Sequence, residues 1–357
     1  MNRDHSITDL GIRAVDVGYF NVKYTLGRKQ VDESWPIATG IFPAMAPRLA
    51  TNTPRESFGS AKLDGFVVEV DGVHYFVGRD FSFTSTGIEP RPIAEGYCTT
   101  AKYLAQLRGA LQYMAQDASA GSEVVIRHLV VALPLNTFGK YRTVLEKRIE
   151  GEHLLPMAGG STRRITVERV SVIVQPHGAL LNFGAASRGQ MEGWTLVIDP
   201  GGGTLDWYVA SKDRPNWPRS GAYPKAMLAC AYAVADKIEP AWRDQHEIIS
   251  RIDEALREGR QCFKVGPREY ALAEYQSTID AVIEESVEKM FAKVGPVDDI
   301  GQILITGGGA TVYHRYLCEK RPELRAMMRI DADPVFSNVR GFHIFGEMRQ
   351  QSAGVAR

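Results

Sequence analysis

The sequence lacks an excess of charge of either sign and lacks long apolar runs. Lysine plus arginine and aspartate plus glutamate number 42 each in 357 residues, so no global basic field indicates nucleic-acid binding. No run of about 18 apolar residues occurs, which argues against a membrane-spanning helix. The opening residues, M-N-R-D-H-S, are polar and lack the apolar core of a signal peptide. The sequence therefore predicts a cytoplasmic protein that does not enter a membrane.

Cysteine is scarce and widely spaced. The four cysteines, Cys98, Cys230, Cys262 and Cys318, form no C-x-x-C pair, which argues against a cysteine metal site. Thiols of this number and spacing are typical of buried or free cysteines in a reducing compartment. The length exceeds what one hydrophobic core usually serves, so the sequence predicts two domains.

Glycine, in contrast, is concentrated where apolar strands end. The stretch Thr195–Asp206 opens with an apolar run that suits a buried strand and then turns sharply through Pro200. The residues at and after this turn are Asp199, Gly201, Gly202, Gly203, Thr204 and Asp206. Successive N–H groups in a glycine turn can face an anion, usually a phosphate. A plain β-hairpin whose turn needs glycine is the alternative.

The same pattern occurs near the start of the chain. A first apolar strand, Ile12–Val17, runs into D-V-G-Y-F-N-V-K. Asp16 lies at or near the end of this strand, and Gly18 permits a tight turn. Asn21 and Lys23 follow, with Lys23 on the returning strand. Two copies of strand, carboxylate, glycine turn and strand support phosphate binding more strongly than one copy does.

Two further predicted strands end in polar or glycine-rich turns. One strand, Ile165–Val174, is followed by Gln175. The other, Ile300–Thr306, is followed by Gly307, Gly308, Gly309 and Ala310. Because ligands of such sheets gather outside the strand ends, we expect these turns to contribute to one site.

The remaining pattern alternates strands with helices, which favours an α/β fold. Phe66–Gly78 predicts a hairpin with the two-residue turn Asp71-Gly72. Polar and glycine residues at Ser187–Gly193 predict a hinge between the halves. Phe336–Gln350 predicts a terminal helix, interrupted near Gly341, that closes back on the first half.

In their order, these segments resemble the actin–hexokinase–Hsp70 ATPase superfamily, and the resemblance covers most of the chain. D-V-G with Lys23 resembles its first phosphate motif, D-P-G-G-G-T its second, and I-T-G-G-G-A its adenosine motif. A-L-P-L-N-T-F, Asn21 beside Lys23, and the segment Asp333–Phe342 resemble the ParM/StbA plasmid-segregation branch. The R-A-V-D-V-G-Y-F-N-V-K and F-P-A-M-A-P segments also resemble the D protein of PRTRC-type plasmid systems.

The resemblance implies an actin-like, ribonuclease H-like α/β fold with two domains and a nucleotide cleft between them. Residues 1–187 would form domain I, joined by the C-terminal helix 336–357. Residues 188–335 would form domain II.

The resemblance also implies binding and hydrolysis of ATP or GTP with Mg²⁺. Asp16 and Asp199 would hold the metal, directly or through water, because hard carboxylates facing a triphosphate suit a cation that keeps several waters. Gln175 and Asp199 would be the catalytic residues, with Gln175 orienting the attacking water. Capping of the helix after Pro176 is the alternative role for Gln175. The implied nucleotide-binding residues are Asp16, Gly18, Asn21, Lys23, Gly201, Gly202, Gly203, Thr204, Asp206, Gly307, Gly308, Gly309 and Ala310.

Two neighbouring side chains have open roles at this stage. Asp206 either contacts a metal-bound water or pairs within its own hairpin. His177 either touches the site or is a structural residue near a helix start.

The branch implies a filament-forming ATPase that segregates plasmid DNA. Its partners would be further copies of itself and a DNA-binding adaptor on a plasmid centromere. Two alternatives from the same superfamily are a monomeric sugar or small-molecule kinase and an Hsp70-like nucleotide-gated protein. A kinase needs a substrate carboxylate in the cleft, and no convincing motif for one is present.

Overall fold

The computed structural model describes residues 7–49, 63–87, 94–157, 160–187, 193–212 and 214–355. The strands in the first part of the chain are β1 (Thr8–Asp9), β2 (Ile12–Val17), β3 (Asn21–Arg28), β4 (Ile37–Pro43), β5 (Gly65–Val70), β6 (Val73–Gly78), β7 (Glu123–Ile126), β8 (His128–Leu133), β9 (Gly151–Pro156), β10 (Thr162–Val167) and β11 (Val170–Val174). Those in the second part are β12 (Trp194–Pro200), β13 (Leu205–Ser211), β14 (Arg214–Pro215), β15 (Gly221–Tyr223), β16 (Cys262–Val265), β17 (Arg268–Ala271), β18 (Ile300–Ile305) and β19 (Met328–Ile330). The helices are α1 (Ala101–Asp117), α2 (Leu135–Ile149), α3 (Gln175–Ala186), α4 (Met227–Ile238), α5 (His246–Arg257), α6 (Gln276–Val294), α7 (Ala310–Lys320) and α8 (Ser337–Val355).

Two mixed sheets organise the fold. The first has the order β11-β8-β2-β3-β4, and β2 pairs in parallel with β8 and antiparallel with β3. The second has the order β14-β13-β12-β18-β19, and β12 pairs in parallel with β18 and antiparallel with β13. Each sheet therefore contains the same unit, a hairpin whose first strand has a parallel neighbour on its other side. The predicted α/β class is confirmed.

The apolar side chains form two large cores. The first extends from Leu10 to Val172 and includes much of α1. The second extends from Leu196 to Met328 and includes buried faces of α4, α5, α6 and α7. Two cores fit the expectation from chain length, while the boundaries at 1–187 and 188–335 stay a prediction. Residues 188–192 of the expected hinge lie outside the described residues.

The predicted β5–β6 hairpin is present with the expected turn. Asp71 and Gly72 both have positive φ, 53° and 77°, as a type I′ turn requires of its two central residues. No helix in the described part of the chain is long and apolar enough to cross a bilayer. All four cysteines are free thiols, two of them buried.

The strand predicted over Ile165–Val174 is wrong, because two strands in different sheets occupy it. β10 pairs with β7 and β9 in a four-stranded sheet, whereas β11 pairs with β8 in the first main sheet. The chain bends between them at the exposed residues Glu168 and Arg169. No glycine or proline marks this bend, so the apolar pattern on either side is continuous in the sequence.

The predicted interruption of the terminal helix near Gly341 is also wrong, because α8 runs through it from Ser337 to Val355. Gly341 lies where α8 crosses α3, against the backbone of Gly178. The helix does close back on the first half, since Val339 and Phe342 pack in one cluster with Ala14 and its neighbours on the first sheet. Glycine here serves close packing and does not break the helix.

Candidate functional site

The β2–β3 hairpin brings the first predicted motif together. Asp16 and Lys23 are direct partners across the two strands, and the Gly18 N–H donates to the Asn21 carbonyl oxygen at 3.1 Å. The Lys23 ammonium lies 2.8 Å from Asp16 Oδ2. Lys23 was expected among the nucleotide-binding residues, and in the structure its ammonium group forms an ion pair with Asp16.

The β12–β13 hairpin repeats this geometry. Asp199 pairs with Asp206 across the strands, and the Gly201 N–H donates to the Thr204 carbonyl oxygen at 2.9 Å. Carboxylate, turn donor and turn acceptor have the same sequence spacing as in the first hairpin. The recurrence seen in the sequence is therefore a recurrence of structure.

The tips of the two hairpins touch. A Cβ atom added to Gly202 would lie 2.9 Å from Phe20 Cβ, and one added to Gly203 would lie 2.5 Å from the Tyr19 ring. Both distances are too short for a side chain. These glycines were expected to present N–H groups to an anion, and the structure adds that the opposing hairpin leaves no room for a side chain at either position.

One cavity collects most of the predicted site residues. Its lining includes Asp16, Gly18, Asn21, Lys23, Gln175, Asp199, Gly201, Gly202, Gly203, Thr204, Asp206, Gly307 and Gly308. The lining comes from both main sheets and from the start of α3. The strand-end turns therefore lie around one cavity, and their contribution to a nucleotide site stays a prediction.

Both carboxylate oxygens of Asp16 are bonded to side chains of the cavity. The amide nitrogen of Gln175 donates to Asp16 Oδ1 at 2.8 Å, while Lys23 holds Oδ2. Gln175 is the first residue of α3, and the structure describes no cap bond from its side chain to that helix. Its amide instead faces the cavity and orients Asp16.

Asp199 is buried and has a different partner. Burial raises its pKa to about 6, against the lowering effect of the Asn338 amide, which donates to Asp199 Oδ2 at 2.6 Å, and of Lys23. The negative charge of Asp16 raises the pKa further. A Cβ atom on Gly307 would lie 2.1 Å from Asp199 Oδ1, and Gly307 has φ of +77°. Only glycine fits beside this carboxylate.

Asp206 connects the second hairpin to the first part of the chain. Its Oδ2 accepts a hydrogen bond from the Thr204 hydroxyl at 2.6 Å, and its Oδ1 accepts one from the Leu135 N–H at 3.0 Å. Burial raises its pKa to about 7, and the charge of Asp199 adds to that rise. Asp206 thus pairs within its hairpin and also binds the N-terminal end of α2.

The end of the predicted adenosine motif does not line the cavity. The Gly309 N–H donates to the Pro200 carbonyl oxygen at 2.9 Å, and a Cβ atom there would lie 2.7 Å from Met227 Cγ. Ala310 is buried as the first residue of α7. These two residues fix how α7 packs behind the glycine turn.

His177 is likewise outside the lining of the cavity, and its Nδ1 lies 3.3 Å from the Tyr208 hydroxyl.

Sequence reasoning missed several side chains of the cavity. Asn338, Asp253 and Arg257 all line it. Arg257 donates to Asp253 at 2.6 Å, and its guanidinium carbon lies 5.7 Å from the centre of the Phe20 ring. The spacing of Asp253 and Arg257 by four residues signals only a helix ion pair. Asn338 lies within the Asp333–Phe342 segment that carries part of the ParM/StbA resemblance, but no pattern marked it as a cavity residue.

The donor set fits a nucleotide-bound magnesium ion better than a metal held by protein alone. In the described ranges, no group of three or more His, Cys, Asp and Glu side chains is placed to hold a metal. Mg²⁺ is commonly bound by one or two carboxylates together with substrate phosphates and water. Asp16 and Asp199 match that pattern, with backbone N–H groups of two glycine turns nearby for the phosphates.

Comparison with known proteins agrees with this geometry. Residues 14–178 match the family model described as the N-terminal domain of actin-like proteins. The apo psk41 ParM protein superposes with a TM-score of 0.67 at 20% identity, covering 96% of this chain and 99% of that chain. An archaeal actin homolog gives a TM-score of 0.71 at 20% identity, covering 95% of this chain and 99% of that chain.

A 15-stranded ParM filament from Clostridium botulinum gives a TM-score of 0.70 at 18% identity, covering 94% of this chain and 99% of that chain. No curated protein matches the sequence. The actin-like resemblance read from the motifs is confirmed at the level of the fold: the chain has the actin-like fold of these structures, and residues 14–178 match the actin-like N-terminal domain family.

Proposed function

We propose that this protein is a cytoplasmic, filament-forming ATPase that binds ATP or GTP with Mg²⁺ and acts in plasmid DNA segregation. The observation that carries the proposal is the pair of equivalent hairpins whose carboxylates, Asp16 and Asp199, line one cavity. Such a paired cradle suits a triphosphate and its cation, because phosphoryl transfer requires positioning and neutralisation of charge.

The residues have distinct roles in this proposal. Asp16 and Asp199 hold the Mg²⁺, which neutralises developing charge on the phosphates when bound. Lys23 stabilises Asp16 and adds positive charge near the phosphates. Gly202 and Gly203 offer backbone N–H donors to the phosphates, whereas the N–H groups of Gly18 and Gly201 are used within their turns. Gln175 orients the attacking water, since an amide can position a water but is no useful base.

Assembly and DNA segregation are the finer parts of the proposal. Two of the structural neighbours are described as filaments, one a ParM filament and one an Alp12 filament. We infer that this chain also assembles with copies of itself in response to nucleotide. A separate DNA-binding adaptor would connect the filament to a plasmid centromere, because this chain has no excess of basic residues. Membership of the PRTRC D subgroup stays a prediction.

Light scattering after addition of ATP or GTP with MgCl₂ tests the proposal. Filament growth is expected to give scattering that rises with protein concentration and is removed by sedimentation. A monomeric phosphotransferase or an Hsp70-like protein would bind nucleotide without growing scatter. Nucleotide binding without any polymer under these conditions would therefore contradict the filament function.

A further inference from the structure

Asp16 and Asp199, the two carboxylates proposed to hold the metal, are each bound by a side-chain amide from the start of a helix. Gln175, the first residue of α3, donates to Asp16 Oδ1 at 2.8 Å. Asn338, the second residue of α8, donates to Asp199 Oδ2 at 2.6 Å. The two amides therefore have matching places in the two halves of the site. The sequence resemblance identifies Gln175 as a site residue but does not identify Asn338.

The two helices that present these amides, α3 and α8, pack in close contact. Gly178 and Gly341, each three residues after its amide residue, meet where α3 crosses α8. The positions of Gln175 and Asn338 are consequently set by one shared helix crossing. The positions of Asp16 and Asp199 relative to each other therefore depend on this helix crossing.

Asn338 has an atom whose bonding is incomplete. The side chain is only 5% exposed and lines the cavity beside Asp199, Gly307 and Val335. Its Nδ2 is used by Asp199, but its Oδ1 is buried without a hydrogen-bond partner among the described residues. Leaving a buried amide oxygen unsatisfied is unfavourable. The atom is therefore explained best by a donor that arrives with a ligand.

We propose that Asn338 is a positioning residue for the hydrated cation: Nδ2 fixes the Asp199 carboxylate, and Oδ1 accepts a hydrogen bond from a water of Mg²⁺ held by Asp199. This inference rests on the proposed nucleotide function. Mg²⁺ gives up its waters reluctantly, and these waters are donors that an amide oxygen can accept. A phosphate oxygen, in contrast, is mostly deprotonated at neutral pH and is therefore a poor hydrogen-bond donor to Oδ1.

Equilibrium binding of ATP measures this role when it is done with MgCl₂ and again with EDTA. Asn338→Ala is expected to weaken binding about tenfold or more in MgCl₂, because a buried charge-assisted bond and a water contact are lost together. In EDTA the same variant is expected to bind within about twofold of wild type, since no hydrated cation remains to be positioned. Asn338→Leu fills a similar volume and gives the same comparison if the alanine variant does not fold.

Asn182→Ala is the matched control. Asn182 donates to Asp331 and Ser337 at the junction of α3 and α8 but does not line the cavity. It is expected to change stability and to leave the ratio of affinities in MgCl₂ and EDTA unchanged. A second comparison uses Asp199→Asn, in which Asn338→Ala should have no additional effect on ATP affinity in MgCl₂.

The outcomes separate this inference from the function on which it rests. If Asn338→Ala binds ATP as wild type does in MgCl₂, or loses equal affinity in MgCl₂ and EDTA, the positioning role is wrong. Additive losses from Asp199→Asn and Asn338→Ala would also overturn it. Wild-type protein that binds neither ATP nor GTP would overturn the proposed function, and the inference with it.

Discussion

Gly178 of α3 and Gly341 of α8 touch backbone to backbone. A Cβ atom on Gly341 would lie 1.7 Å from the carbonyl oxygen of Gly178 and 2.3 Å from its carbonyl carbon. Neither backbone can move without shifting a helix that presents a cavity amide. This crossing therefore connects the stability of the fold to the geometry of the site.

Gly341→Ala is expected to destabilise the protein by about 1–3 kcal/mol or more, because the added methyl group overpacks a backbone contact. Chemical denaturation measures the change in the free energy of unfolding. Gly139→Ala is the matched control, since Gly139 lies within α2 with nothing within 4 Å of an added Cβ. That variant should be neutral or stabilised by up to about 1 kcal/mol from helix propensity. Equal effects of the two substitutions would contradict the close crossing.

Gln175→Ala is expected to bind nucleotide nearly normally and to release phosphate about 100-fold more slowly. Binding is preserved because Lys23 still holds Asp16, whereas the water in line with the γ-phosphate loses its positioning. Single-turnover phosphate release and equilibrium binding separate these effects. Normal phosphate release would remove Gln175 from the mechanism.

The same variant tests whether hydrolysis is coupled to disassembly. If filaments grow with the triphosphate and decay after hydrolysis, Gln175→Ala should give longer-lived filaments when nucleotide is limiting. The decay of light scattering measures this lifetime. Slow phosphate release together with unchanged filament decay would keep the chemical role and break its link to disassembly.

Much of this site is predictable from the sequence because its parts are local. A strand, a carboxylate and a glycine turn occupy a few consecutive residues, so the residue pattern alone places Asp16 and Asp199 at or near strand ends. The pairing of Asp16 with Lys23 follows from the register of one hairpin. Local patterns of this kind need no knowledge of distant packing.

Contacts between distant segments were the part that sequence reasoning missed. Asn338 meets Asp199 across 139 positions, and Leu135 meets Asp206 across 71. No periodicity specifies such pairs. Gly341 was misread for the same reason, since a glycine that breaks a helix and one that lets two helices touch look identical in sequence. Only the position of α3 distinguishes the two.

Because the pKa of Asp206 is raised, we predict that the stability of the protein depends on pH. Burial raises its pKa from 3.8 to about 7, so between about pH 4 and 7 the folded protein binds more protons at this carboxyl than the unfolded chain does. This group therefore lowers the stability of the nucleotide-free protein as pH rises through that window. In denaturant unfolding, Asp206→Asn should raise the free energy of unfolding relative to wild type by more at pH 8 than at pH 5. A difference independent of pH would contradict the raised pKa.

We predict that the contact between Phe81 and α5 slows nucleotide release. Its ring lies 5.1 Å from that of His246 at the start of α5, the helix that also carries Asp253 and Arg257 of the cavity. Phe81→Ala should speed nucleotide dissociation by about 2–10-fold through loss of this aromatic contact. Phe83→Ala is the matched control, because Phe83 lies on the same short 3-10 helix, Phe81–Thr84, and is 76% exposed. Stopped-flow release of a fluorescent nucleotide measures both, and indistinguishable rates would contradict the role of Phe81.

The measurement that tests the central claim most directly compares wild type with Asp199→Ala after ATP and MgCl₂ are added. Phosphate release and light scattering are recorded on the same sample. The wild-type protein is predicted to release phosphate and to grow scatter. The folded variant is predicted to do neither, because half of the cation site is removed. Wild-type rates of phosphate release and scattering growth in Asp199→Ala would contradict the account.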